Sequence, residues 1–151
     1  MDADGRAAVT TIGFTRTSAE AFFGRLKAAG VRSVLDVRLH NTSQLAGFAK
    51  SGDLAWFLGA LGGIAYRQEP LLAPTDAMLR AYRQGKGAWD DYSARFLALL
   101  AERRVEERLS PAALHGACLL CSEATAHRCH RRLAAEYLNE RWCGRLDVRH
   151  L

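Results

Sequence analysis

The 151-residue chain is 49% hydrophobic and 25% charged, with 21 Lys and Arg against 16 Asp and Glu and a formal net charge of +5. That composition fits one ordinary soluble domain with a full core and argues against a disordered chain, a collagen-like repeat or a two-domain enzyme. No stretch approaches the roughly 18 to 20 apolar residues of a membrane helix, and the opening MDADGRAAVT, with its two acids and no apolar run, is unlike a secretory signal, so the expectation is a cytoplasmic protein without membrane contact.

Of the basic residues 18 are Arg and only 3 are Lys. A guanidinium fork suits carboxylate and phosphate oxygens, so the surplus invites an anionic small molecule or a nucleic acid. Against this, 26 alanines accompany the arginines, a pairing that a GC-rich genome produces without function. The surplus sits at the two ends of the chain, in residues 1–50 and 123–151, while residues 51–122 are balanced at 8 bases and 8 acids.

In chain order, residues 1–8 read as a disordered N-terminal tail and 9–151 as the domain. Val9 to Phe14 (VTTIGF) is a buried strand ending at a glycine turn. Thr17 to Glu20 has capping-box spacing with Thr17 as N-cap, and Phe22, Phe23, Leu26 and Ala29 continue as a helix to Gly30. Val31 to Val37 reads as a strand covered on both faces, which completes a parallel βαβ unit. Leu54, Phe57, Leu58 and Leu61 mark a second helix closed by Gly62 and Gly63, with a weaker strand at Ile64 to Tyr66. Thr75 or Asp76 caps a short helix that Gly85-Lys86-Gly87 breaks. Trp89, Tyr92, Phe96, Leu99, Leu100 and Arg103 form one face of a long helix fraying before Pro111, an aromatic stripe that reads as core. Ala117 to Cys121 is a compact strand, Thr125 caps a further helix, and Leu146 to Leu151 is a final strand. The alternation predicts a single α/β domain with a mainly parallel sheet of about five strands and helices on both faces.

Open α/β sheets bind ligands beyond the carboxyl ends of their strands, where helix N-termini also point. Three polar stretches fall there. Arg16 follows the first strand. Arg38, His40, Asn41 and Gln44 follow the second, with Asp36 on the same strand face as Arg38 and read as its structural partner. Cys121, Glu123, Arg128, His130 and Arg131 follow the fourth.

The densest segment, Cys121 to Arg132, has three readings. In the first, Cys121 is a nucleophile whose thiolate is favoured by a helix N-terminus and nearby Arg and His, as in cysteine phosphatases and rhodaneses, although the separation from Arg128 is longer than either uses. In the second, Cys121, His127, Cys129 and His130 gather a metal, without the paired spacing of structural zinc sites. In the third, the residues are core. This third reading accounts for Cys118 and Cys143, whereas Cys121, Glu123 and Arg131 have no packing task at a strand's polar end.

Together, Thr11-Ile12-Gly13-Phe14, Asp36-Val37-Arg38, Ser43 to Phe48, and Leu120-Cys121-Ser122-Glu123 followed by Cys129-His130-Arg131-Arg132 resemble the bacterial and archaeal family of domain of unknown function 488, over about Val9 to Leu151. The cysteine-to-CHRR segment is its specific signature. The family's usual residue after TIG is His, and here Phe14 replaces it, so any role of that imidazole is lost. The resemblance implies a compact cytoplasmic α/β domain and no particular reaction.

The sequence therefore predicts an anion-binding pocket at the carboxyl edge of the sheet. Cys121, Glu123 and His130 are the candidate catalytic residues, and Arg16, Arg38, His40, Asn41, Gln44, Arg128 and Arg131 the candidate ligand contacts. No metal ligand is assigned and any cofactor is undetermined. A cysteine-dependent enzyme on a phosphorylated, nucleotide or nucleic-acid substrate is the leading reading. The alternative is a non-catalytic nucleic-acid-binding or DNA-repair accessory module, which needs a stripe of arginines rather than a convergent set.

Overall fold

Five short strands, apolar in the middle of the sheet and mixed at its two edges, pair side by side, and every pairing is parallel. The computed structural model describes residues 1–41, 47–84, 88–123 and 126–151. The strands are β1 Ala7–Ile12, β2 Ser33–Asp36, β3 Ala65–Gln68, β4 Ala117–Leu120 and β5 Leu146–His150. They form one sheet in the order β3-β2-β4-β1-β5. Parallel neighbours require crossovers, and these are supplied by α1 Ala19–Ala28, α2 Ser51–Gly62, α3 Asp76–Arg83, α4 Trp89–Arg103, the single turns α5 Val105–Arg108 and α6 Pro111–Leu114, and α7 His130–Arg141.

β4 lies at the centre, and its four residues Ala117, Cys118, Leu119 and Leu120 are all buried. Its side chains alternate between two cores. Cys118 and Leu120 join Phe22, Phe23, Leu26, Leu54 and Leu58 on the α1 and α2 side. Leu119 and, just beyond the strand, Cys121 join Phe96, Leu100, Leu133 and Leu138 on the other. Helices therefore cover both faces, as the unbroken apolar runs require. None of the described helices is long and apolar enough to cross a membrane.

Several boundaries differ from those read in the sequence. β1 opens at Ala7, inside the predicted tail, because Ala7 N–H donates to Arg145 O at 2.9 Å and Ala7 pairs with Leu146 of the edge strand. The N-cap of α1 is Ser18, whose Oγ accepts from Ala21 N–H at 3.1 Å. Thr17 is instead held one residue outside, its N–H donating to Phe14 O at 3.0 Å. The long helix ends where Arg104 takes a left-handed conformation at φ 54, and two short turns replace the predicted fraying. α7 starts at His130, well after the predicted cap Thr125, which lies outside the described residues together with the predicted breaker 85–87. The arginines of its first turn hold the preceding loop off the helical path: Arg132 donates to Ala126 O at 3.1 Å and His127 O at 2.9 Å, and Arg131 to Glu123 O.

The strand order fixes where a site can form. From β2 the chain leaves through α2 towards β3. From its neighbour β4 it leaves through α7 towards β5, in the opposite direction. The connections part between the carboxyl ends of β2 and β4, and a crevice opens at such a point.

Candidate functional site

A cavity of about 410 Å³ fills this crevice. β2 delivers Arg38, Leu39 and His40 to it, β4 delivers Cys121, Ser122 and Glu123, and the start of α7 delivers Arg128, Cys129 and His130. The opposite wall is formed by Leu79, Tyr82 and Arg83 of α3 and Trp89 and Tyr92 of α4. Pro74 closes it at the end of a loop that Arg103 fastens from α4 through bonds to the carbonyls of Pro70, Leu71 and Ala73 at 3.2, 2.9 and 2.7 Å.

Arg38 is buried and held in one orientation. Its Nε and Nη2 donate to the two carboxylate oxygens of Asp36 at 2.8 and 2.7 Å, and its backbone N–H donates to Asp36 Oδ1 at 3.1 Å. Tyr66 OH donates to the same carboxylate at 2.6 Å, and burial together with this bond pushes the Tyr66 phenol above its ordinary pKa. The guanidinium lies over the Phe14 ring, 5.2 Å from its centroid, so Phe14 serves as the floor under Arg38. Asp36 is thereby a positioning partner. The other terminal nitrogen, Arg38 Nη1, is buried with no hydrogen-bond partner among the described residues.

Cys121 and Cys129 are joined as a disulfide at the cavity floor. His130 stands beside them: its Nε2 donates to Val37 O at 2.7 Å, and its Nδ1 faces Cys121 Sγ at 3.9 Å. Since a carbonyl can only accept, the proton of the neutral ring belongs on Nε2 and the Nδ1 lone pair faces the sulfur. Burial drives the imidazole pKa down to about 4, a trend that the Val37 bond opposes and Arg131 reinforces. The two sulfurs and a ring nitrogen of His130 all lie within 4.8 Å of one another. His127, the fourth member of the metal reading, is exposed and outside this cluster.

Arg131 does not line the cavity. Its side chain is completely buried, its Nε donating to Thr11 Oγ1 at 3.1 Å and its Nη1 to Glu123 O and towards Cys129 Sγ at 3.9 Å. Thr11 Oγ1 also shares a hydrogen bond with His150 Nδ1, 2.6 Å away. Burial lowers the Arg131 pKa to about 10. The residue is a brace that fixes the loop after β4 against β1. Gly13 is part of the same junction, since a Cβ there would collide with the Glu123 carbonyl and with Arg131 Nη1. The loop after β1 closes the seam, with Phe14 N–H, Thr15 N–H and Thr15 Oγ all donating to Ser122 O at 3.3, 2.9 and 2.6 Å.

The other predicted contacts divide. Glu123, Arg128 and His40 are exposed residues lining the cavity, and His40 Nε2 lies 3.4 Å from Asp76 Oδ1. Arg16 is exposed in the loop after β1, in a left-handed conformation at φ 58, and is not among the lining residues. Asn41 is also absent from the lining, and its carbonyl accepts from Ser51 N–H at 2.8 Å. Gln44 lies outside the described residues. The α3 and α4 wall was missed in the sequence: Trp89 and Tyr92 belong to the stripe read as core, and nothing in the spacing of Tyr82 or Arg83 marks them.

No curated protein and no solved structure matches the chain. One family model does, over residues 18–138, so it takes in β2 to β4, the Asp36–Arg38 pair and the Cys121-to-CHRR segment and leaves β1 and β5 outside. The chain belongs to the family described as domain of unknown function DUF488.

Proposed function

We propose that the protein is an enzyme that takes an anionic substrate, phosphorylated or nucleotide-like, into the cavity between β2 and β4, with the sulfur–imidazole cluster at its floor supplying the chemistry. The observation that carries this reading is the unused edge of Arg38. A buried guanidinium with one nitrogen left unpaired costs free energy, and an anion oxygen at Nη1 removes that cost. Asp36 and the Phe14 ring keep the edge preoriented, and Arg83 and Arg128 add exposed positive charge around the same space. Glu123, a carboxylate lining the cavity, is the candidate proton acceptor. The aromatic wall of Tyr82, Trp89 and Tyr92 suits a ligand with a flat apolar part.

Convergence also weighs against the nucleic-acid-binding alternative. Arg38, Arg83 and Arg128 gather on one concave site. Several arginines outside the cavity are instead matched with acids on their own helices, as in Arg80–Asp76, Arg95–Asp91 and Arg132–Glu136.

Calorimetric titration with inorganic phosphate and with adenosine monophosphate tests the reading. Both should bind, and Arg128→Ala, at an exposed position, should weaken them severalfold. Arg38→Gln should weaken them by about tenfold or more, the worth of one charge-assisted hydrogen bond. Absence of binding by the folded wild type, or equal affinity in all three proteins, would overturn it.

A further inference from the structure

We propose that, in the reduced protein, Cys121, Cys129 and His130 form a three-ligand site for a divalent transition ion of the zinc type, with its fourth coordination position open to the cavity. The inference deepens the anion-cavity reading and rests on it only for what fills the fourth position.

The donor atoms come from two elements that the fold fixes independently, the end of β4 and the start of α7, and they already lie within 4.8 Å of one another. A tetrahedral ion with metal–sulfur and metal–nitrogen bonds of about 2.3 and 2.0 Å needs its donors roughly 3.3 to 3.8 Å apart, so small side-chain rotations suffice. The imidazole is held as a metal-binding histidine is usually held. Nε2–H donates to the Val37 carbonyl at 2.7 Å, which fixes the tautomer and directs the Nδ1 lone pair towards Cys121 Sγ. On the far side, Arg131 Nη1 points at Cys129 Sγ from 3.9 Å while its Nε is anchored on Thr11, an N–H···S contact that would support a bound thiolate.

Two thiolates and an imidazole are soft and borderline donors, which select zinc and its congeners over magnesium or calcium. The two negative charges cancel the charge of the ion, so a neutral centre can sit on a buried floor. Three protein ligands facing a cavity are the pattern of a catalytic ion rather than a closed structural one. Arg38 lines the same cavity and its Nη1 has no partner among the described residues, so an anion or water bound to the ion could also receive that hydrogen bond.

The chemistry balances with one external reductant. Two equivalents of a small thiol cleave the Cys121–Cys129 bond, giving two cysteine thiols and one small disulfide. The ion then displaces one proton from each thiol, and His130, already neutral, gives up none.

The test uses the full chain reduced with a phosphine, freed of reductant without air, and titrated with Co²⁺ and then Zn²⁺. One equivalent of Co²⁺ should bind with thiolate charge-transfer absorption and the intense visible bands of a tetrahedral site, and Zn²⁺ should displace it. The disulfide form of the same protein should bind none until reduced, a control that needs no substitution. Cys121→Ser and Cys129→Ser should each lose the charge-transfer band or shift its intensity by half, His130→Gln should weaken binding at least tenfold, and Cys143→Ser should change nothing. Failure of the reduced wild type to bind one equivalent, or binding unchanged in both cysteine variants, would overturn the proposal. Phosphate separates the two readings. If Co²⁺ binds but phosphate neither shifts its bands nor binds the metal-free protein, the metal site stands and the anion cavity falls. If phosphate binds and Co²⁺ does not, the reverse holds.

Discussion

Two buried arginines flank the cysteine cluster, Arg38 at the end of β2 and Arg131 in the first turn of α7, and they serve opposite ends. Arg38 faces a carboxylate that matches two of its nitrogens, so its charge is balanced within the fold, and its third nitrogen is left without a partner among the described residues in a side chain that lines the cavity. Arg131 has neutral partners, a hydroxyl, a carbonyl and a sulfur, and holds β1, the loop after β4 and α7 together; its Nη2, like Arg38 Nη1, is buried with no hydrogen-bond partner among the described residues, but Arg131 does not line the cavity. What separates the two is place: each has one orphaned terminal nitrogen, and only Arg38 borders the cavity from which a ligand could reach it. Guanidiniums bonded across several backbone segments act as mortar.

The comparison breaks most visibly at Asp36. Asp36→Asn removes the charge that matches Arg38, and the loss of one partner of a buried pair should cost about 3 to 5 kcal/mol in denaturant unfolding, together with anion binding. Arg131 makes no ion pair among the described residues, Glu123 acting on it only through space, so no equivalent substitution exists there.

Acid probes the ground between the two arginines. His130 is held neutral with a pKa of about 4 against about 6.5 in the unfolded chain. The unfolded state therefore binds the extra proton first. His130 lowers stability as pH falls from about 6.5 to about 4, by on the order of 3 kcal/mol, and has no effect above that window. Unfolding of the oxidised protein across this range should show the slope, and His130→Gln should remove that part of it.

The brace can be tested without touching a charge. Gly13→Ala sets a methyl against the Glu123 carbonyl and Arg131 Nη1, and should cost about 1 to 3 kcal/mol through overpacking while displacing the loop that carries Ser122 and Glu123. Tyr66→Phe is the mildest change. It removes one hydrogen bond to Asp36 and should cost about 1 kcal/mol with anion binding retained.

The fold was legible because its signals are local and repeated: apolar runs of strand length, Gly63 closing α2 in a left-handed conformation, and Thr75 capping α3 through Met78 N–H. The crevice was legible through the same alternation, which put the Arg38 and Cys121 stretches on one edge. The sequence makes Arg131 a ligand contact because its spacing from Cys121 says nothing about Thr11, 120 residues earlier in the chain, which claims its Nε. The start of α7 was displaced for the same reason, since the arginine bonds that hold the loop before it are set by side-chain reach rather than helix propensity. Trp89 and Tyr92 show the remaining limit. A helical stripe of aromatics reports a buried face, and the sequence does not mark where that face runs out into a cavity.

Arg38, Arg83 and Arg128 line the cavity that Cys121 also lines, so an anion should be drawn to that sulfur. The direct measurement alkylates the reduced protein, kept metal-free by chelator, with iodoacetate and separately with iodoacetamide, and follows each cysteine by peptide mapping. Cys118, buried and with its thiol pKa pushed up to about 12, should stay unlabelled in both, while exposed Cys143 reports the intrinsic ratio of the two reagents. The anionic reagent should be favoured severalfold more at Cys121 than at Cys143, and phosphate should abolish the preference. Equal ratios at the two positions, insensitive to phosphate, would contradict it.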